Sequence, residues 1–253
     1  MDFKVYASSS SGNLYTLSDG QTNLILEAGL PFKKIQIALN FNISKMDAVL
    51  CTHEHFDHSL ALKDLAKAGV DCYLTKPTAD ALGLNGHRFK FIEPLKQFAI
   101  KTFVIMPFPT QHDAALPVGY VMHSQVTGEK MAFITDSFYC KYRFKGLTHI
   151  AIECNYALDI LNSNIEAGAV PAAMKNRLLQ SHFSLANVKE FLKANDLSRV
   201  TEIHMLHLSD GNSNAERFKR EIQELTGKVV YVAETKFFYP SGENSSSGGR
   251  LEP

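Results

Sequence analysis

Thr52-His53-Glu54-His55-Phe56-Asp57-His58 follows an apolar run at 47–51 and leads into a helical pattern. Imidazole nitrogens and carboxylate oxygens suit Zn²⁺, Mn²⁺ or Fe²⁺. On an extended or looping backbone, His53 and His55 project to one side and grip one ion. Asp57 and His58, at the turn into the helix, reach a second ion beside it. The loop alone leaves each ion short of donors, so others are required downstream. Each of three stands at the end of an apolar run: His112 in Pro109-Thr110-Gln111-His112-Asp113, Asp136 after Met131-Ala132-Phe133-Ile134-Thr135, and His207 closing Ile203-His204-Met205-Leu206-His207. Seven donors match two ions that share one carboxylate.

The rest of the chain is that of an ordinary folded protein. Its 253 residues are 45% hydrophobic and 21% charged, with 15 Gly and 9 Pro, which excludes collagen-like, low-complexity and mostly disordered chains. No apolar run approaches the ~20 residues of a membrane span, and the N-terminus lacks a signal-peptide layout, so a cytoplasmic protein without a membrane partner is expected. Lys+Arg and Asp+Glu are equal at 26 each, so any affinity for a polyanion must come from a local patch. Cys51, Cys72, Cys140 and Cys154 contain no C-x-x-C and read as reduced thiols.

Short apolar strands are expected at 4–7, 14–17, 23–26, 47–51, 71–74, 103–108, 119–123, 131–135, 149–154 and 230–233. A helical pattern at 60–66 runs to Gly69. Ser184 and Asn214 are positioned to cap helices whose apolar stripes are Leu185, Val188, Phe191, Leu192 and Phe218, Ile222, Leu225. This mixture predicts an α/β domain over 1–240, with sheets covered by helices. The polar, Gly/Ser-rich stretch 241–253 reads as a flexible tail, its end resembling an expression scar.

The order H-x-H-x-D-H, then His, Asp and His, resembles the metallo-β-lactamase-fold hydrolases. Ala7-Ser8-Ser9-Ser10-Ser11-Gly12-Asn13, Leu26-Glu27-Ala28-Gly29-Leu30, Glu153-Cys154-Asn155-Tyr156, Ser181-His182-Phe183-Ser184 and His207-Leu208-Ser209 are similar to the YycJ/WalJ-like branch, whose bacterial and phage members are regarded as DNA exonucleases related to ribonucleases Z and J. The resemblance implies an αββα sandwich, two mixed sheets packed face to face with helices outside and metals at one edge. It implies that His53, His55 and His112 hold one metal, that Asp57, His58 and His207 hold the second, and that Asp136 bridges them. A bridging Asp points away from antibiotic hydrolysis, since true β-lactamases of this fold generally lack it. The family usually has Asp where this chain has Glu27, a group that hydrogen-bonds and orients the ligand loop. Glu serves there if the backbone yields by about one methylene.

Two such ions, Zn²⁺ or Mn²⁺, hold a bridging hydroxide that attacks phosphorus, with Asp57 orienting the nucleophile. His182 is the candidate proton donor to the leaving oxygen, and a polar residue at a helix start fits the same position. Tyr139-Cys140-Lys141-Tyr142-Arg143-Phe144-Lys145 alternates basic with aromatic and apolar residues. Lys141, Arg143 and Lys145 there either track a phosphate backbone or face solvent from a half-exposed strand; Lys175 and Arg177 extend the same surface. His87, His123, His149 and His204 read as structural. The pattern points to a DNA exonuclease, with DNA favoured over other nucleic acids. A small-substrate hydrolase, such as a cyclic-nucleotide phosphodiesterase or thioester hydrolase, and a non-catalytic metal-binding protein fit the same scaffold.

Overall fold

The computed structural model describes residues 1–233; the tail expected at 241–253 and the last residues of the expected 1–240 domain lie outside the described residues. Strands β1 (Asp2–Ala7), β2 (Leu14–Ser18), β3 (Asn23–Leu26), β4 (Ala48–Leu50), β5 (Asp71–Thr75) and β6 (Phe89–Ile92) form one sheet in chain order. Strands β7 (Phe98–Ile100), β8 (Phe103–Pro109), β9 (Val118–Ser124), β10 (Lys130–Ile134), β11 (His149–Glu153), β12 (Glu202–Leu206) and β13 (Val229–Val232) form the second, also in chain order. Both sheets are mixed, with antiparallel hairpins on one side and parallel strands on the other.

Alternation along the strands explains the layers. Leu24, Leu26, Ala48 and Leu50 face Phe103, Tyr120, Phe133 and Ala151 in the core between the sheets. The intervening Ile25 and Val49 turn outward against Ile35 of α1 (Phe32–Ala38), Leu62 and Leu65 of α3 (Leu62–Lys67) and Ala79 of α4 (Lys76–Ala81); α2 (Phe56–Ser59) lies within the ligand loop. Ile150, Ile152, Ile203 and Met205 turn outward on the other sheet. They meet Val188 and Phe191 of α7 (Leu185–Ala194) and Phe218 and Ile222 of α8 (Ala215–Thr226); α5 (Leu158–Glu166) and α6 (Ala173–Ser181) precede them in the chain. The result is the expected αββα sandwich. Ser184 and Asn214 cap α7 and α8, accepting from the N–H groups of Asn187 at 3.1 Å and Arg217 at 2.9 Å.

Three strands lie outside the expected ten: β12 falls on the apolar run at 203–207 noted for His207, and β6 and β7 follow no run at all. β6 and β7 are three or four residues long and lie at sheet edges, where no second neighbour demands a sustained apolar alternation. Residues 139–145 keep their alternating burial but form no strand. Their neighbourhood is held by loop contacts instead, Phe138 N–H donating to Gln111 O at 3.1 Å and Phe144 N–H to Asn195 Oδ1 at 2.8 Å.

Candidate metal centre

The C-terminal ends of β3, β4, β8, β10, β11 and β12 lie at one edge of the sandwich, and the chain segments leaving them carry the chemistry. This is where open α/β sheets place their ligands, because the strands end there and side chains from several can converge. β4 hands over to the ligand loop at Cys51. His55 caps the single turn α2, His58 N–H donating to His55 O at 2.9 Å, and that turn swings Asp57 and His58 toward the same edge as His53.

Two histidine groups result. His53 Nε2 and His112 Nε2 each lie 3.1 Å from His55 Nδ1. His58 Nε2 lies 3.3 Å from Asp57 Oδ2, and His207 Nε2 lies 3.5 Å from the same oxygen. Asp136 sits between the groups. Its Oδ1 is 3.4 Å from His58 Nε2 and 3.8 Å from His207 Nε2, while its Oδ2 is 3.7 Å from His112 Nε2. All seven residues singled out in the sequence therefore meet at this edge, His53, His55 and His112 in one group and Asp57, His58, Asp136 and His207 in another.

The donors fit divalent metal ions. Tetrahedral coordination at about 2.0–2.1 Å spaces ligand nitrogens about 3.3–3.4 Å apart, close to the separations in the first group. His112 Nδ1 donates to the Ser181 carbonyl at 2.9 Å, which leaves the Nε2 lone pair for the cluster. Burial holds His53 and His112 below the usual histidine range, so both are neutral as ligands must be; the Asp136 charge opposes this. Burial also disfavours charge on His58 and His207, but Asp136, with Glu27 at His58 and Asp57 at His207, more than offsets it and raises both. The same pairs keep Asp57 and Asp136 well below the usual carboxylate range despite their burial.

The cluster is braced from beneath. Asn13 N–H donates to Asp57 O at 2.8 Å, and the Asn13 amide nitrogen lies 3.2 Å from His58 Nε2. Tyr15 OH donates to Asn13 Oδ1 at 3.0 Å and lies 2.6 Å from Ser8 Oγ, which accepts from His207 N–H at 2.8 Å. One buried chain of polar groups thus joins Asp57, His58 and His207 across both sheets. Gly29 is the space for this approach: a Cβ there would stand 1.6 Å from Asp57 O. Glu27 is fully buried, its Oε2 accepting from Thr52 N–H at 3.3 Å and lying 3.6 Å from His58 Nδ1. Its Oε1 and His58 Nδ1 have no hydrogen-bond partner among the described residues, and burial pushes the Glu27 carboxyl up. Glu27 (φ 65°), Asp136 (φ 41°) and His207 (φ 53°) all adopt the left-handed region, so each carries backbone strain at this edge.

Glu153 is the residue the sequence reading left outside the site. It is fully buried, accepts from Ser137 N–H at 3.0 Å and Phe183 N–H at 3.1 Å, and receives His182 Nδ1 at 2.6 Å. A carboxylate ending the otherwise apolar Ile150-Ala151-Ile152 was the available signal. Burial opposes charge on His182, yet Glu153 and then Asp136 hold it up at about 9. His182 lines, with His55, Asp57, His112, Asp136, Asn155, Arg177 and His207, a cleft of about 410 Å³. Lys141 and Arg143 line a separate cleft with Tyr139 and Tyr142, which shares no lining residue with the first, while Lys145 is exposed nearby in the chain. His87, His123, His149 and His204 lie outside the cluster; His204 stacks on Tyr231 instead.

A family model described as "Beta-lactamase superfamily domain" matches residues 31–205. The chain is 29% identical over 242 residues to "Exodeoxyribonuclease YycJ" of Bacillus anthracis, covering 89% of each. It is 31% identical over 228 residues to "Exodeoxyribonuclease WalJ" of Streptococcus pneumoniae, covering 83% of this chain and 82% of that one. Among solved structures, the metallo-beta-lactamase fold protein YhfI from Bacillus subtilis superposes with a TM-score of 0.70 at 14% identity, over 93% of this chain and 97% of the other. Human tRNase Z, short form, does so with 0.61 at 13% identity, over 94% and 98%. These two likenesses concern the fold.

Proposed function

The chain belongs to the beta-lactamase superfamily, as a metal-dependent hydrolase of its nuclease and phosphodiesterase family, and from that premise we propose that it is a DNA exonuclease working with two ions, Zn²⁺ or Mn²⁺. The observation that carries the reading is Asp136, whose two oxygens face different histidine groups. His53, His55 and His112 would hold one ion, Asp57, His58 and His207 the other, with Asp136 shared. Bound there, the ions would supply Lewis acidity toward a phosphate and an activated water. Asp57 orients the attacking side of the cleft. His182, protonated through Glu153, presents Nε2 to the cleft as the proton donor for the leaving oxygen. Glu27 and Asn13 steady the loop that carries the ligands.

The names of the two relatives support DNA as the substrate. The segment leaving Asp136 supports it too: exposed Tyr139, Lys141, Arg143 and Lys145 offer a stacking face and phosphate contacts. Four free, buried cysteines agree with a cytoplasmic setting, and no helix among the described residues is long and apolar enough to cross a membrane. The test is incubation of end-labelled single- and double-stranded DNA, RNA and cyclic nucleotides with the protein in Mn²⁺ or Zn²⁺. DNA shortened stepwise from an end is expected, and neutralising Lys141, Arg143 and Lys145 together should lower the salt dependence of DNA binding by up to about three phosphate equivalents. Turnover confined to cyclic or mononucleotide diesters would overturn the reading.

A further inference from the structure

The cleft over the metal cluster does not end at it. A second cleft of about 610 Å³ lies on the other side, lined by Gln111, Asp113, Phe138, Gln180 and Ser181, and the two share His112 and Arg177. Each is within the roughly 300–1,000 Å³ of small-ligand sites. Among the described residues, Arg177 is the one Lys or Arg that lines either of them.

Helix α6 puts it there. Ser181, in the last turn, is pinned to the site through its carbonyl on His112 Nδ1 at 2.9 Å and its hydroxyl on Asp113 Oδ1 at 3.3 Å. Residues three and four apart share a helix face, so Met174, Arg177, Leu178 and Ser181 form one stripe, and the first three line the catalytic cleft. Lys175, on another face, donates to Asn162 Oδ1 at 2.7 Å. Arg177 is exposed and has no ion pair or hydrogen bond among the described residues. Arg177 is thus a cation at the shared boundary of two clefts, with no acidic partner among the described residues.

We propose that Arg177 is a substrate clamp that binds a phosphate next to the scissile one, on a nucleic-acid strand that lies across both clefts. The inference rests on the nuclease reading and adds a phosphate contact to that site. The guanidinium fork suits a phosphate's two oxygens better than a lysine ammonium does.

Binding of a fluorescent single-stranded oligonucleotide, measured in EDTA across a salt series, tests it without turnover. Arg177→Gln is expected to weaken binding about tenfold and to flatten the salt slope by about 0.7, one phosphate on a single strand. Arg177→Lys should recover part of the affinity, and Lys33→Gln, on α1, should match the parent. With metal restored, Arg177→Gln should raise the oligonucleotide KM more than it lowers kcat. An unchanged salt slope in Arg177→Gln, or an equal loss in Lys33→Gln, would overturn the clamp while leaving the nuclease reading intact. A parent protein that neither binds nor cleaves the oligonucleotide, yet turns over cyclic nucleotides, would remove both.

Discussion

Glu153 Oε1 and His182 Nδ1 stand 2.6 Å apart, joining the end of β11 to the loop between α6 and α7. The carboxylate is fully buried and its other oxygen is occupied by two backbone N–H groups, so it cannot turn away from the imidazole. The pair makes His182 a cation at neutral pH, with Nε2 left for the cleft.

Because the His182 pKa is raised from 6.5 to about 9, the pair's stabilisation is complete below 6.5 and is lost as pH rises through about 9. The basic limb of the pH–rate profile should therefore lie above 6.5, and Glu153→Gln should move it down. His182→Ala should keep its metal and lower kcat by ~10²–10⁴, whereas Asp57→Ala should lose metal. Equal metal loss in both variants would make His182 a ligand rather than an acid.

Metal content should approach two transition ions per chain, and the His53→Ala/His55→Ala double variant should lose at least one. Ligand imidazoles must be neutral, but His58 and His207 have raised pKa values in the protein alone. Ion binding therefore displaces protons, and affinity should rise with pH. Calorimetric titrations in buffers of different ionisation enthalpy would measure the release. Binding with no proton release at pH 7 would contradict the assignment.

Gly29→Ala places a methyl 1.6 Å from the Asp57 carbonyl oxygen, a backbone atom that cannot step aside alone. The ligand loop must shift. Stability should fall by about 1–3 kcal/mol or more, together with metal affinity. Chemical denaturation and metal titration of one preparation would report both, and a variant with parental metal affinity would show the approach to be dispensable.

Asp19 fastens the opposite end of the sandwich. It accepts from Thr22 N–H at 2.9 Å within its own sheet's turn, and from Thr102 Oγ1 at 2.6 Å and Ser124 Oγ at 2.8 Å of the other sheet. Burial works to raise its pKa, but these donors hold it below the usual carboxylate value. A depressed pKa contributes stability present above about 3.9, the unfolded value, and lost as pH falls through the folded one. Asp19→Asn should cost about 1–3 kcal/mol at neutral pH, and the difference from the parent should shrink in acid. A constant difference from pH 7 to pH 2 would assign the effect to packing.

The seven clustered His and Asp residues were legible because metal chemistry restricts residue types and four of them fall within six positions of one loop. The strands that carry them were legible because burial on both faces leaves apolar runs that end abruptly in polar residues. Glu153 was not, since one acid at the end of an apolar strand gains meaning only from its partner, and His182 comes 29 residues later. The same holds for the brace of Ser8, Tyr15 and Asn13, which reaches His207 across 199 residues of chain.

Local sequence thus determined the histidine-rich loop at 53–58, the alternation that builds two sheets, and the caps of α7 and α8, since each depends on neighbours within a turn or a strand. Sheet packing decided the rest: which oxygen of Asp136 faces which histidines, which buried acid holds His182, and that Arg177 rather than Lys175 overlooks the cleft. A buried polar group must find its partner inside the fold, and only the packing of two sheets built from distant segments brings that partner within hydrogen-bond reach.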